Sequence, residues 1–141
     1  MRFMLLMYPN PEAEAGRLPT AEEVAAMGTF NQAMMEAGVL LAADGLQATS
    51  KGARVRFGPG RPAVTDGPFA EAKEIVGGYW MIRVNSREEA VGWATRCPVH
   101  DPQVFVEVRQ VFEMEDFPAD VQAAAAGEIE LAARLGLNQQ G

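Results

Sequence analysis

Residues Phe3 to Tyr8, FMLLMY, are apolar at six consecutive positions. In an extended chain successive side chains point to opposite faces, so Phe3, Leu5 and Met7 lie on one side and Met4, Leu6 and Tyr8 on the other. A strand apolar on both faces has to be covered on both. The run is too short for the apolar stretch of a signal peptide and no small-residue cleavage site follows it. Nothing in the chain approaches the length of a membrane span. The fold therefore has to place this opening strand between two layers.

The rest of the chain supplies one of those layers. After a loop from Pro9 to Pro19, Thr20 and Glu23 in TAEE form a capping-box signature. Val24, Met27, Phe30, Met34 and Met35 then recur at helical spacing, with Asn31 inside the stripe, and Gly38 offers a left-handed stop. A helix is predicted from about Ala21 to Ala37. VLLAADGLQ reads as a second strand, and ARVRFGPGRPAVTDG as a β-hairpin around Gly58-Pro59-Gly60, inserted between Lys51 and Asp66. Gly78 to Val84 is a further strand. SREE repeats the capping signature at Ser86 and Glu89, ahead of a helix with Ala90, Trp93, Ala94 and Cys97 in line. Pro98 ends that helix. Gln103 to Phe112 alternates as a strand, and a last helix is expected from about Pro118 to Leu135, with Val121, Ala125, Ile129 and Ala132 aligned.

Without the hairpin the order is β-α-β-β-α-β, the split-βαβ or ferredoxin-like pattern of an α+β protein. Its two helices cover one face of a four-stranded antiparallel sheet. The other face requires either a second copy, giving a homodimer, or the last helix folded over it; the homodimer is the expected answer. Residues 1–116 then form the ferredoxin-like domain and residues 117–141 a helical extension.

Composition narrows the function. With 19 acidic against 12 basic residues the net charge is −7, and no Lys/Arg run marks a nucleic-acid footprint. A single cysteine excludes an internal disulfide and fits a reducing cytoplasm. Neither G-x-G-x-x-G nor a P-loop sequence is present. A lone histidine makes a poor metal site, so neither metal nor cofactor is expected.

The stretch TDGPFAEAKEIVGGYWMIRV, with EEAVGWATRCP and VEVRQV after it, resembles the YCII-related family in its DGPF-motif branch; MRFMLLMY and AGVLLAADGL resemble that family's first two strands. The resemblance runs from Met1 to Phe112. It implies a dimeric α/β barrel of ferredoxin-like subunits. Some relatives in the wider family are viewed as enzymes with a His-Asp dyad whose histidine lies between the first strand and first helix, but Met1 to Ala37 holds no histidine here. The branch's frequent association with extracytoplasmic-function sigma factors implies, alternatively, an accessory role through protein contact.

Candidate site residues follow from position. Asp66 opens the DGPF turn, where an Asp can accept from amides two residues on, Gly67 permits positive φ and Pro68 fixes the next φ. The carboxylate is either a structural cap or an acid–base group at a pocket rim. Phe69 is the corner's apolar anchor. His100 lies in a loop beside Asp101, where it is either a solvated imidazole or a general base. On the last strand Val104, Val106 and Val108 face the helices, so Phe105, Glu107, Arg109 and Val111 face away, with Glu107 and Arg109 roughly 6.5–7 Å apart. Tyr79, Met81 and Arg83 alternate likewise against Trp80, Ile82 and Val84. Tyr8, Phe69, Tyr79, Arg83, Glu107 and Arg109 are thus the ligand-binding candidates, and Asp66 and His100 the catalytic ones. A polar lining of this kind suits an acidic or phenolic small molecule, and the resemblance to barrel enzymes implies a cofactor-free lyase or isomerase; a structural ion-pair network across a dimer would need the same residues. Cys97, near a helix C-terminus, reads as core rather than as a nucleophile.

Overall fold

A computed structural model describes residues 1–136. In chain order it contains β1 (Arg2–Tyr8), α1 (Pro11–Glu14), α2 (Ala21–Glu36), β2 (Leu40–Gly45), β3 (Ala53–Arg56), β4 (Ala63–Asp66), β5 (Gly78–Arg83), α3 (Arg87–Thr95), β6 (Phe105–Gln110), α4 (Ala119–Ala124) and α5 (Ala126–Arg134). Strands β2, β5, β1 and β6 form one sheet in that order, antiparallel at every junction, while β3 and β4 pair separately. The doubly apolar opening strand is central, with β5 on one side and β6 on the other. The β1-α2-β2 and β5-α3-β6 units each skip one strand, as the ferredoxin-like pattern requires.

Helix α2 begins at the expected capping box. Thr20 Oγ1 accepts from the Glu23 amide at 3.1 Å and Glu23 Oε2 accepts from the Thr20 amide at 3.4 Å. It stops where Gly38 takes φ +73°. Ser86 caps α3 by accepting from the Glu89 amide, but Glu89 reaches back to the amide of Asn85 instead of closing a box with Ser86. The loop between Pro9 and Pro19 also contains the one-turn α1, started by Asn10 Oδ1 accepting from the Ala13 amide at 2.8 Å.

The core lies between the sheet and these helices. Phe3, Leu5, Trp80, Ile82 and Val84 meet Phe30, Met34, Val39 and Ala90, with Val106 and Val108 packed alongside. Phe30 and Trp80 stack edge-on at 5.6 Å. Asn31, the polar interruption of the apolar stripe, accepts from Trp80 Nε1 at 2.7 Å. It satisfies an indole N–H that would otherwise be sealed without a partner.

Two expectations need correction. Val24 and Met35 are 56% and 66% exposed instead of packed in the core. Met35 follows Met34 by 100° around the helix, so only one of the pair can face the sheet, and the stripe meets the sheet only from Met27 onward. The expected last helix is two, α4 and α5, interrupted at Ala125 with φ −85° and ψ 0°. Gly127, two residues on, weakens helix propensity where the alanine run offers no packing to compensate. Neither α4 nor α5 brings its backbone close to a strand over more than an isolated contact, and Met4, Leu6 and Met81 on the second face of the sheet are only half-buried by the described part of the chain.

Removing the Asn31 amide should leave the buried indole N–H unpaired. Asn31→Ala is expected to destabilise by about 1–3 kcal/mol, read as a lowered urea midpoint, while Met35→Ala should shift it by less than about 0.5 kcal/mol.

Candidate functional site

The uncovered sheet face is built in cross-strand rows. In one row Asp44, Tyr79, Leu6 and Glu107 lie side by side across β2, β5, β1 and β6. In the next stand Ala42, Met81, Met4 and Arg109. Arg83 pairs with Arg2 at one end and Tyr8 with Phe105 at the other. The register thus surrounds an apolar centre of Met4, Leu6 and Met81 with polar groups. Five of the six ligand-binding candidates, Tyr8, Tyr79, Arg83, Glu107 and Arg109, share this face.

Two hydrogen-bonded pairs organise it. Tyr8 stacks on Phe105 with ring centroids 4.5 Å apart and donates its hydroxyl to Glu107 Oε2 at 3.2 Å. Arg109 Nη1 stands 3.8 Å from the same oxygen. Desolvation, and then the neighbouring carboxylate, raise the Tyr8 pKa above its ordinary value, so its phenol remains a neutral donor. On the other flank Tyr79 donates to Asp44 Oδ2 at 3.0 Å, and that bond raises the Tyr79 pKa too. Asp44 was not singled out from sequence; its only signal is the β2–β5 register, which sequence does not print. Tyr79, Asp44, Asn31, Trp80, Met7 and Met27 also line a cavity of about 300 Å³. At the arginine end Arg2 grips Glu113 through Nε at 2.7 Å and Nη2 at 3.2 Å. That bond, ahead of other causes, holds the Glu113 carboxyl below the usual carboxylate range.

The DGPF corner is rigid, but by a different agency from the one expected. The Phe69 amide donates to Thr49 Oγ1 at 3.0 Å and the Gly67 amide to the Gly52 carbonyl at 3.0 Å. Asp66 is exposed and caps neither. Thr49 in turn gives both its amide and its hydroxyl to Glu14 Oε1, at 2.7 and 2.8 Å. A carboxylate on α1 therefore holds the turn that carries Phe69. Glu14 Oε2 is buried with no hydrogen-bond partner among the described residues. Gly67 is required by close approach: a Cβ there would sit 1.8 Å from the Thr49 carbonyl oxygen. The Gly67–Pro68 peptide is cis. Pro9, Pro11, Glu14, Pro68, Lys73 and Gln103 contribute to a pocket of about 590 Å³ against this corner. Neither Glu14 nor Thr49 was nominated from sequence.

His100 is exposed and makes no hydrogen bond or ion pair among the described residues. Its neighbour Asp101 is committed elsewhere, accepting from Asn10 Nδ2 and from the Gln103 amide, each at 2.8 Å. These bonds, the first above all, lower the Asp101 pKa. The loop thus ties the β1–α1 junction to the start of β6, and Asp66, Phe69 and His100 all lie off the sheet face. Burial pushes the Cys97 thiol up to about 11, which keeps it protonated and unreactive near neutral pH. Among the described residues no three His, Cys, Asp or Glu side chains stand close enough to hold a metal ion. No described helix is long and apolar enough to cross a membrane.

The YCII-related domain model matches residues 1–115. The chain belongs to that family. The matched span contains all six strands of this YCII-related chain, the polar rows and the DGPF corner, and leaves α4 and α5 outside. No curated protein matches the chain.

Two outcomes test these assignments. Thr49→Val in the YCII-related chain should cost about 1–3 kcal/mol, because the Phe69 amide and Glu14 Oε1 both lose a partner, whereas Asp66→Ala should stay within about 0.5 kcal/mol; thermal melts of both variants decide. The Glu113 carboxyl, lowered by Arg2, contributes stability that is present above its ordinary pKa of 4.5 and lost as pH falls through the lower folded value. Arg2→Met should therefore flatten the loss of stability below that pH, measured by urea midpoints on either side of it.

Proposed function

We propose that this YCII-related protein is a homodimer whose two sheets meet through their uncovered faces, closing an α/β barrel, and that the enclosed chamber binds a small acidic or phenolic molecule. The observation that carries this reading is the combination of a half-buried apolar centre, Met4, Leu6 and Met81, with the ordered Tyr8–Glu107–Arg109 and Tyr79–Asp44 groups on the sheet face turned away from α2 and α3. An apolar sheet face left in water is unfavourable, and burying its rim charges without a counter-charged occupant costs more than burying paired ones.

The chemistry available is proton movement. Glu107 can accept a proton, the neutral Tyr8 phenol can donate a hydrogen bond to an oxygen that gains charge, and Arg109 can hold an anionic group. Those three roles suffice for an isomerase or lyase acting on a small carboxylic or phenolic substrate without a cofactor. Asp66 and His100 stand outside this set because neither shares the face. A second reading, a non-catalytic protein acting by contact with a partner such as a sigma factor, draws support from the exposed Val121, Ile129 and Leu131 on α4 and α5.

Sedimentation velocity at micromolar concentration should give a dimer, and Leu6→Asp a folded monomer. In a thermal-shift screen of small aromatic and aliphatic acids, Arg109→Gln should weaken the best ligand by roughly tenfold or more. A monomeric wild type would end this reading, and a dimer that no small acid stabilises would favour the contact reading.

A further inference from the structure

Charge is distributed unevenly along the strands of the sheet face. Its cross-strand rows follow one another every second residue, at roughly 6.5–7 Å. Tyr8 and the row of Asp44, Tyr79 and Glu107 hold the phenols and their carboxylates. The next row holds Arg109, and the one after it sets Arg83 directly opposite Arg2. One end of the face is therefore cationic and the other carries the proton-transfer groups.

The Arg2–Arg83 pair calls for an explanation. Like charges directly opposite each other across antiparallel strands are destabilising. Arg2 is compensated, because its Nε and Nη2 take up both carboxylate oxygens of Glu113 at 2.7 and 3.2 Å. Arg83 is exposed, and its guanidinium makes no hydrogen bond or ion pair among the described residues. One carboxylate thus serves two facing guanidiniums. Arg109 differs again, since Glu107 stands 3.8 Å from its Nη1 and already receives the Tyr8 hydroxyl.

We infer, resting on the sheet-face chamber proposed above, that its occupant is a dicarboxylate. One carboxylate lies at Arg109, and the second lies one row away, between Arg83 and Arg2, with the carbon chain against Met4. A guanidinium fork takes a carboxylate through two parallel N–H donors, so the second acid group would relieve the repulsion between Arg83 and Arg2 while it is bound. A monoacid held by Arg109 alone would leave that repulsion in place. A chain of net charge −7 repels a dianion from most of its surface, and the arginine end supplies the local field that admits one. Arg83 is on this account a specificity-determining residue: it counts the charges on the ligand.

The test is isothermal titration calorimetry on the full-length protein with two matched pairs of acids at constant ionic strength, adipate against hexanoate and isophthalate against benzoate. In at least one pair the diacid should bind about tenfold or more tightly than its monoacid. Arg83→Gln should bring that diacid down to the level of its monoacid, whereas Arg109→Gln should weaken both. Because Arg83 opposes Arg2, Arg83→Gln should also leave the ligand-free melting temperature equal or higher, with the dimer intact by sedimentation. An arginine kept for an ion pair across the dimer would lower both on removal. Equal affinities within both pairs, a diacid advantage that survives Arg83→Gln, or a lower ligand-free melting temperature for that variant overturns the inference. If a monoacid still binds a dimer in that case, the sheet-face chamber stands without it; if the protein is a monomer or no acid binds, both fail.

Discussion

Strand β1 is apolar on both faces, and the rest of the architecture turns on covering them. Phe3 and Leu5 are sealed beneath α2 and α3, whereas Met4, Leu6 and Tyr8 occupy the opposite face and are only half-buried by the described part of the chain. Because β1 is central, flanked by β5 and β6, its second face is the middle of the whole sheet. The hydrophobic effect acts on area without regard to direction, so the residues that make β1 a strong strand also leave an apolar surface that needs a cover.

The polar groups around that surface are arranged by register and by hydrogen bonds, and scattering them at random would not produce the pairing observed. Tyr8 reaches Glu107 because its ring is held flat on Phe105. Tyr79 reaches Asp44 because β2 and β5 place them opposite each other. Both phenols have pKa values raised by burial or by a carboxylate neighbour, which makes them hydrogen-bond donors near neutral pH. At the arginine end the Arg2–Glu113 pair ties the chain just past β6 back to the start of β1. The loops add a second set of ties: Asn10 to Asp101, and Glu14 through Thr49 to the DGPF corner.

Much of the frame was legible from local signals. The two capping residues Thr20 and Ser86, the left-handed Gly38 and the hairpin between Lys51 and Asp66 each carry their instruction within a few residues. Alternation alone sorted Tyr79, Glu107 and Arg109 from Trp80, Val106 and Val108. Hydrogen-bond partners distant in sequence were not legible. Asp44 and Tyr79 lie 35 residues apart, as do Glu14 and Thr49, and no periodicity links either pair. At the DGPF corner turn chemistry identified the amides that needed acceptors but assigned one to Asp66, because the hydroxyl that takes it comes from another loop. The break at Ala125 was missed for a related reason. A stripe such as Val121, Ala125, Ile129 predicts a helix face, but its continuity depends on packing that the stripe itself does not supply.

The central claim is that the second face of the sheet is covered in solution by a like face, and methionine oxidation tests it directly. Met4 and Met81 lie at the centre of that face, while Met35 on the outer side of α2 is 66% exposed and serves as an internal reference. Under mild peroxide, with sulfoxides quantified peptide by peptide, Met4 and Met81 should react at least about tenfold more slowly than Met35, since thioether oxidation follows access. Their protection should fade on dilution into the nanomolar range, where a dimer of ordinary affinity dissociates. Rates for Met4 and Met81 equal to that of Met35 at every concentration would show the face open to water and contradict the account.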